Sequence, residues 1–518
     1  MKKFKIQFIC LLILFTVSSC DKGFEELNVN PYALTKIEPS LLLANSQRLT
    51  SSGSWEGEQT ITQQYVNAYN LGATAGFNFN ENNNNFNIPR WNDSYPGPVK
   101  LLIQAQTLVK DNPAKSNLAS QIRIWKAYVF MTLVDTYGHV PYSESGKAFL
   151  EGTFYPKYDT DSEIYNDLYN EIKSAAAALD GTKDLNTEDL FFGKSSTAAI
   201  QVTKWKRLAY SLMLRLGMRY TKTDEAKARS IVQEAFNGGV MQDNTDNAVV
   251  VFNSVYNNPR NQGPRSVNPY FYYLAEPFVN QLKSTRDPRF KYIGGKYADP
   301  NNVLTTTPNT DFENQFGFPV GYDQNTVTKV PGYRGTSGTG QNYSQINFNI
   351  MGSAIAPTFF VTNAQTKLLL AEAAHRGWLN GLSGALTAQQ YYEQGIRASF
   401  QDYTVYPTVP NPAVSNADAD AYLTQASVAF NSAKALELIN TQYWVVSFAD
   451  GTEVYANFRR SGFPVLAPNA YNTNLQNGFA RRFAYPNEES ARNNANFNAA
   501  VTKLGGSNNL TARVFWDK

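Results

Sequence analysis

The stretch that decides the fold is residues 362–400, TNAQTKLLLAEAAHRGWLNGLSGALTAQQYYEQGIRASF. Thr362 followed three residues later by Gln365 is a capping box, in which hydroxyl and amide satisfy the first free N–H groups of a helix. The run Leu368-Leu369-Leu370-Ala371-Glu372-Ala373 leads to Arg376 and Gly377, a basic last turn and a glycine stop. Thr387 with Gln390 repeats the signal and opens a partner helix over 388–400. Small residues (Ala371, Ala374, Gly377) sit where the two helices must approach, and Tyr391-Tyr392 fills the groove between them. Helix, short turn and second helix make one unit of a stacked scaffold.

The same pattern recurs on both sides of this stretch. Residues 99–110 and 118–136 read as a helical pair ending at Tyr137-Gly138. Thr160 with Glu163 caps a helix whose Ile164, Leu168, Ile172, Ala176 and Leu179 share one face until Gly181. Residues 198–220, apolar at Trp205, Leu208, Leu212 and Leu216, pair with 224–236, closed by Gly238-Gly239. Further helices are expected at 39–48, 277–284 and 432–448. The pair at 368–400 resembles a tetratricopeptide unit, although no strict repeat of about 34 residues runs through the chain. The fold class is therefore mainly α: tetratricopeptide-like helix pairs within about 99–236 and 357–448 form a scaffold in a single domain, 31–518.

Two long excursions interrupt the helices. Residues 51–98 carry Trp55, Tyr65, Tyr69, Phe77, Phe79, Phe86 and Trp91, with an asparagine run at 82–85; within them 58–69 reads as helical. Residues 243–356 hold Tyr256-Asn257-Asn258-Pro259-Arg260, then Asn268-Pro269-Tyr270-Phe271-Tyr272-Tyr273, then a glycine-rich segment at 331–340. Irregular sequence of this length within a compact domain is functional loop or inserted subdomain. These excursions are expected to build the ligand site.

The amino terminus has the grammar of export. Lys2, Lys3 and Lys5 precede an apolar run over 6–17, too short to span a bilayer permanently, and Val17-Ser18-Ser19-Cys20 closes it. Residues 1–19 read as a cleaved lipoprotein signal peptide, Cys20 as the lipidated residue and 20–30 as a polar tether. Cleavage removes Cys10 and lipidates Cys20, the two cysteines of the chain, so no thiol is left for a disulfide, a metal or a nucleophile. It also removes the net charge of +3, leaving 43 basic residues against 43 acidic ones. That balance gives no support to nucleic-acid binding, which needs a basic face, and no nucleic-acid partner is expected.

Low charge with many aromatic and amide side chains suits a neutral, hydroxyl-rich or peptide ligand. An aromatic ring stacks on the apolar C–H face of a sugar while Asn or Arg bonds its hydroxyl rim. The candidates are Trp55, Trp91 and Asn92 from the first excursion, Tyr256, Arg260, Tyr270 and Tyr273 from the second, and Tyr333 and Arg334 from the glycine-rich segment. Trp125, Trp205, Trp378, Trp444 and Trp516 read as core. Arg459-Arg460 and Arg481-Arg482 read as structural arginines paired with helix-borne carboxylates such as Glu372 or Glu488, with Arg460 or Arg215 the natural partner of Glu372. His139 and His375 read as packing or surface residues, so no metal or cofactor is expected. A surface glycoside hydrolase needs two carboxylates about 5–10 Å apart. Asp93, Glu276, Asp311 and Glu313 lie in loops, but nothing in their context marks a pair, and no catalytic residue is assigned.

Several strings then fall in one order along the chain: Asn28-Val29-Asn30-Pro31 after the lipoprotein start, Tyr137-Gly138-His139-Val140-Pro141-Tyr142, Lys204-Trp205 through Leu214-Arg215, Asp287-Pro288-Arg289, and Gln442-Tyr443-Trp444. Arg459-Arg460-Ser461-Gly462-Phe463-Pro464, Arg482, Tyr485-Pro486-Asn487-Glu488 and a Val514-Phe515-Trp516-Asp517 ending complete the series. In this the sequence resembles the SusD/RagB family of nutrient-binding outer-membrane lipoproteins of Bacteroidetes, especially its SusD-like second subgroup. It departs at His139, where the family more often carries an acidic residue. The resemblance implies a surface-exposed, non-catalytic lipoprotein that captures oligosaccharides, or in some members peptides. It also implies a partner: a SusC-like TonB-dependent barrel transporter on which the protein acts as a lid.

Overall fold

Each of the three capping boxes opens a helix. Thr160, Thr362 and Thr387 accept hydrogen bonds from the backbone N–H of Glu163, Gln365 and Gln390, and those side chains accept from the cap residue in return. The computed structural model describes residues 37–53, 56–69, 84–266, 268–469, 475 and 478–518. Signal peptide, Cys20 and tether fall outside them.

Residues 39–518 form one unit. Its first half is a chain of helices: α1 (Pro39–Thr50), α2 (Lys100–Val109), α3 (Ser116–Tyr137), α4 (Asp161–Ala178), α5 (Ala198–Arg219) and α6 (Glu225–Gly238). Each packs on the one before it. The second half holds α7 (Asn363–His375), α8 (Ala388–Asp402), α9 (Ala435–Val446) and α10 (Gly451–Ser461). Here α7 packs on α8, α9 and α5, while α10 returns to α3, so the halves share one scaffold. The result is the mainly α, tetratricopeptide-like fold expected from residues 362–400.

Glycine marks the closest crossings. A Cβ on Gly217 of α5 would stand 2.8 Å from Ile231 of α6, and one on Gly395 of α8 would stand 2.8 Å from Leu368 of α7. The small residue that lets α7 and α8 approach is thus Gly395, whereas Gly377, at φ 73°, makes the turn after α7. Four short strands tie the excursions down: β1 (Tyr65–Asn67), β2 (Ala248–Val250), β3 (Tyr272–Leu274) and β4 (Thr358–Val361). They pair antiparallel as β1 with β3 and β2 with β4. The helix expected over 58–69 exists only as Glu58–Ile61 before the chain enters β1. Sequence periodicity also did not mark α10, Pro259–Ser266, Asn416–Leu423 or Asn494–Lys503.

Trp125, Trp205, Trp378, Trp444 and Trp516 are all buried. Two ionic networks lie in the core with them. Glu372 of α7 takes both Arg460 (2.7 Å) and Arg376 (2.9 Å). Arg219 of α5 joins Asp135 (3.2 Å) to Glu453 (2.6 Å), and Arg215 joins Glu453 (3.3 Å). Arg460 is therefore the main partner of Glu372, and Arg215 serves a different carboxylate. Arg459 donates to Asp135 O and Arg481 O, and Arg482 donates to Tyr137 O. Glu488 meets Asn84 rather than an arginine. His139 is structural: its Nδ1 accepts from the Asp161 N–H at the start of α4 (3.1 Å), and its carbonyl accepts from Tyr485 (2.7 Å).

Candidate ligand-binding face

The pairing of β1 with β3 sets the candidate site. In β3 alternate residues face opposite ways, so Tyr273 is buried while Tyr272 is partly exposed and stacks on Tyr65, ring centroids 6.1 Å apart. Backbone bonds extend the platform. Ala68 N–H donates to Phe271 O, Gln324 N–H to Ala68 O, and Glu276 N–H to Phe318 O. Beneath lies a small aromatic core of Tyr273, Phe318 and Tyr343, with Phe316 and Tyr333 against its edge.

The glycine-rich segment folds over this core. Thr336-Ser337 pairs with Gly340-Gln341 as a tight hairpin. The Tyr333 hydroxyl donates to Gln341 Oε1 (2.6 Å), and Gln341 N–H donates to the Tyr273 hydroxyl (2.7 Å). Gly340 is required here. A Cβ would lie 2.8 Å from the Tyr273 hydroxyl and 3.0 Å from Tyr270 Cβ. The exposed Arg334 lays its guanidinium 3.6 Å from the centre of the Phe316 ring. Tyr270 packs on Phe271 (4.4 Å), which in turn meets Tyr69 (4.6 Å).

The structure therefore brings Tyr270, Tyr273, Tyr333 and Arg334 together around Gln341. Tyr270, Tyr333 and Arg334 remain accessible; Tyr273 is fully buried, so it supports the face from below instead of touching a ligand. Tyr69 and Phe316 border the same face and were not singled out from sequence, whereas Tyr272 lies on the opposite side of the strand pair, against the main core.

The other candidates lie apart. Trp55 is outside the described residues. Trp91 is 6 % exposed and packs among Tyr95, Tyr137, Tyr158 and Tyr485, so it is mainly a core residue, and the exposed Asn92 beside it faces solvent. Tyr256 is 62 % exposed on a turn in which its N–H donates to Asn253 Oδ1.

Arg260 is buried and donates to Ala449 O. It lines a crevice of about 40 Å³ with Asp402, Asp450 and Tyr406, too small for a sugar ring, and this corrects its assignment as a ligand residue. Burial pushes the Asp402 carboxyl up to about 7, against the opposing bond from Asn247. Burial likewise pushes Asp450 up to about 6, with Arg215 opposing. A carboxyl raised above its unfolded value near 3.8 favours the fold while protonated and loses that advantage as pH rises toward 7. Asp402→Asn is therefore expected to raise Tm at about pH 8 and to leave it unchanged below about pH 4; thermal melts across that range check it.

Among the described residues no group of three His, Cys, Asp or Glu side chains is arranged to hold a metal, and no helix is long and apolar enough to cross a membrane.

Residues 31–486 match the model of a SusD-like family described as starch-binding and associating with the outer membrane. No curated protein matches the chain. Among solved structures, a chitin-binding protein is 26 % identical, with a TM-score of 0.77 over 93 % of this chain and 100 % of its own. A Bacteroidetes SusD-like protein is 24 % identical, with a TM-score of 0.75 over 93 % of this chain and 100 % of its own. A chitin-binding SusD homolog from Flavobacterium johnsoniae is 21 % identical, with a TM-score of 0.71 over 93 % of this chain and 98 % of its own.

Proposed function

The chain belongs to the SusD-like family, and from that premise we propose that it captures oligosaccharides at the cell surface and passes them to a SusC-like TonB-dependent barrel, acting as its lid. It works by binding, without a reaction of its own. The observation that carries this reading is the accessible face of Tyr270, Tyr333 and Arg334 held around Gln341. Tyrosine rings offer apolar stacking area, and the Arg334 guanidinium held over Phe316 supplies N–H donors for hydroxyl oxygens. The family's association with starch and the 26 % identical chitin-binding relative support a glycan ligand. Isothermal titration with starch-type and chitin-type oligosaccharides and with peptides tests it. Heat with a glycan is expected; binding to peptides alone makes it a peptide carrier, and binding to none, with or without the transporter, overturns the reading.

In this reading Cys20 holds the protein to the outer membrane and residues 21–30 are the leash of a moving lid. Cys20→Ala is expected to shift the protein from the membrane to the soluble fraction, which fractionation and blotting measure. Shortening 21–30 is expected to impair glycan uptake by whole cells while the purified protein binds as before. Unchanged uptake would leave Cys20 a plain anchor.

A further inference from the structure

Trp91 borders a feature that the face around Gln341 does not use. An open cleft of about 590 Å³ lies between the segment after α3 and the carboxyl-terminal residues 489–493, within the size range of small-ligand sites. Trp91 and Tyr95 line its floor, and Phe154 and Tyr155 stand on its wall at 71 % and 67 % exposure. Two adjacent aromatic rings left in water are costly, since each would be stabilised by burial of its apolar surface.

The wall is rigidly presented. Asn493 donates to Pro156 O (2.8 Å) and Asn496 to Tyr155 O (3.0 Å), so the backbone beneath the rings is pinned from the helical side. The floor is pinned as well: the Tyr95 hydroxyl donates to Pro141 O (2.9 Å).

The remaining lining is polar in a specific way. Glu489 accepts one bond, from the Tyr158 hydroxyl to Oε2 (2.6 Å), and its other oxygen has no hydrogen bond among the described residues. Arg492 makes no hydrogen bond or ion pair among the described residues and lines the same cleft. One acceptor and one fan of donors beside exposed ring faces match a pyranose, which has an apolar face and hydroxyls that both donate and accept. A membrane surface would call for several basic residues, and Lys157 beside the rings is already paired with Asp159 (3.1 Å).

We propose that this cleft is a second carbohydrate-binding site, in which a pyranose ring stacks on Phe154 or Tyr155 and its hydroxyls reach Glu489 and Arg492. It is independent of the face around Gln341 and shares no residue with it.

The test is calorimetric titration of the full-length mature protein with maltoheptaose and with chitohexaose. Three variants run alongside: Phe154→Ala/Tyr155→Ala, Arg492→Ala and Tyr270→Ala/Tyr333→Ala. Because Phe154, Tyr155 and Arg492 are exposed, their variants are expected to melt like the native protein. The expected result is that Phe154→Ala/Tyr155→Ala removes one class of sites, weakening it at least tenfold, that Arg492→Ala weakens the same class several-fold, and that the other class is untouched. A loss of binding confined to Tyr270→Ala/Tyr333→Ala overturns the cleft and leaves the face standing. A loss confined to the cleft variants supports the cleft and removes the face. If the cleft variants bind sugars as the native protein does but no longer co-purify with a barrel transporter, the cleft is a protein contact and the proposal falls.

Discussion

Glu372→Gln is expected to destabilise the fold by about 3–5 kcal/mol, because it leaves a buried guanidinium without its counter-charge. Glu372 is 1 % exposed and receives Arg460 through both oxygens, 2.8 and 2.7 Å, while Arg376 and Asn440 complete its shell. Although burial opposes ionisation, the two arginines win and hold the carboxyl down at about 2, well below its usual 4.5. A depressed carboxylate contributes its full stabilisation above the unfolded value and loses it as pH falls toward the folded one. The native protein should therefore lose this contribution between about pH 4.5 and pH 2, and the variant should show no such loss. Urea melts at neutral pH measure the cost. A Glu372→Leu/Arg460→Met double variant, which removes both charges, should recover part of it. If Glu372→Gln melts like the native protein, the pair is not what joins α7 to α10.

That network shows why some of the structure was legible and some was not. Glu372 could be given an arginine partner because it sits among small and apolar residues, where a charge has to find a counter-charge, and Arg460 was one of the two arginines offered for it. Arg215, the alternative partner of Glu372, instead meets Glu453 of α10, a pairing that only tertiary packing brings about. Residues 452–460 of α10 are buried without a break, polar and apolar alike. Its apolar Val454, Tyr455 and Phe458 share one side, but its polar residues are buried as well, satisfied by contacts invisible in one dimension. The capped helices α4, α7 and α8 were legible because a capping box is local chemistry.

The same division runs through the candidate face. A run such as Tyr270-Phe271-Tyr272-Tyr273 announces an aromatic surface, but the phase that buries Tyr273 and exposes Tyr272 is set by the pairing of β3 with β1, some two hundred residues away. Tyr333 and Arg334 were found because a glycine-rich segment must be a loop, yet their convergence on Tyr270 depends on Gln341 and the hairpin. Phe154 and Tyr155 carried no sequence signal: two aromatics in a short connector look like core until their exposure is seen.

Removing both accessible rings, Tyr270→Ala with Tyr333→Ala, is expected to weaken glycan binding by about 3 kcal/mol, roughly 150-fold. Each ring offers a face whose burial against a sugar is worth about 1.5 kcal/mol or more. Tyr333→Phe separates stacking from support. It keeps the ring and loses only the hydroxyl bond to Gln341, so a change of a few-fold is expected. Arg334→Lys tests the third group, because an ammonium lacks the fork of N–H donors that the guanidinium holds over Phe316. It should bind more weakly than native by several-fold, with unchanged melting. Tyr273→Phe acts differently, since Tyr273 is buried and its hydroxyl holds Gln341. Its loss should lower Tm and affinity together, whereas Tyr270 and Tyr333 should act mainly on affinity. If the double variant binds the same glycan with native affinity, the face around Gln341 is a structural surface and ligand capture lies elsewhere on the protein.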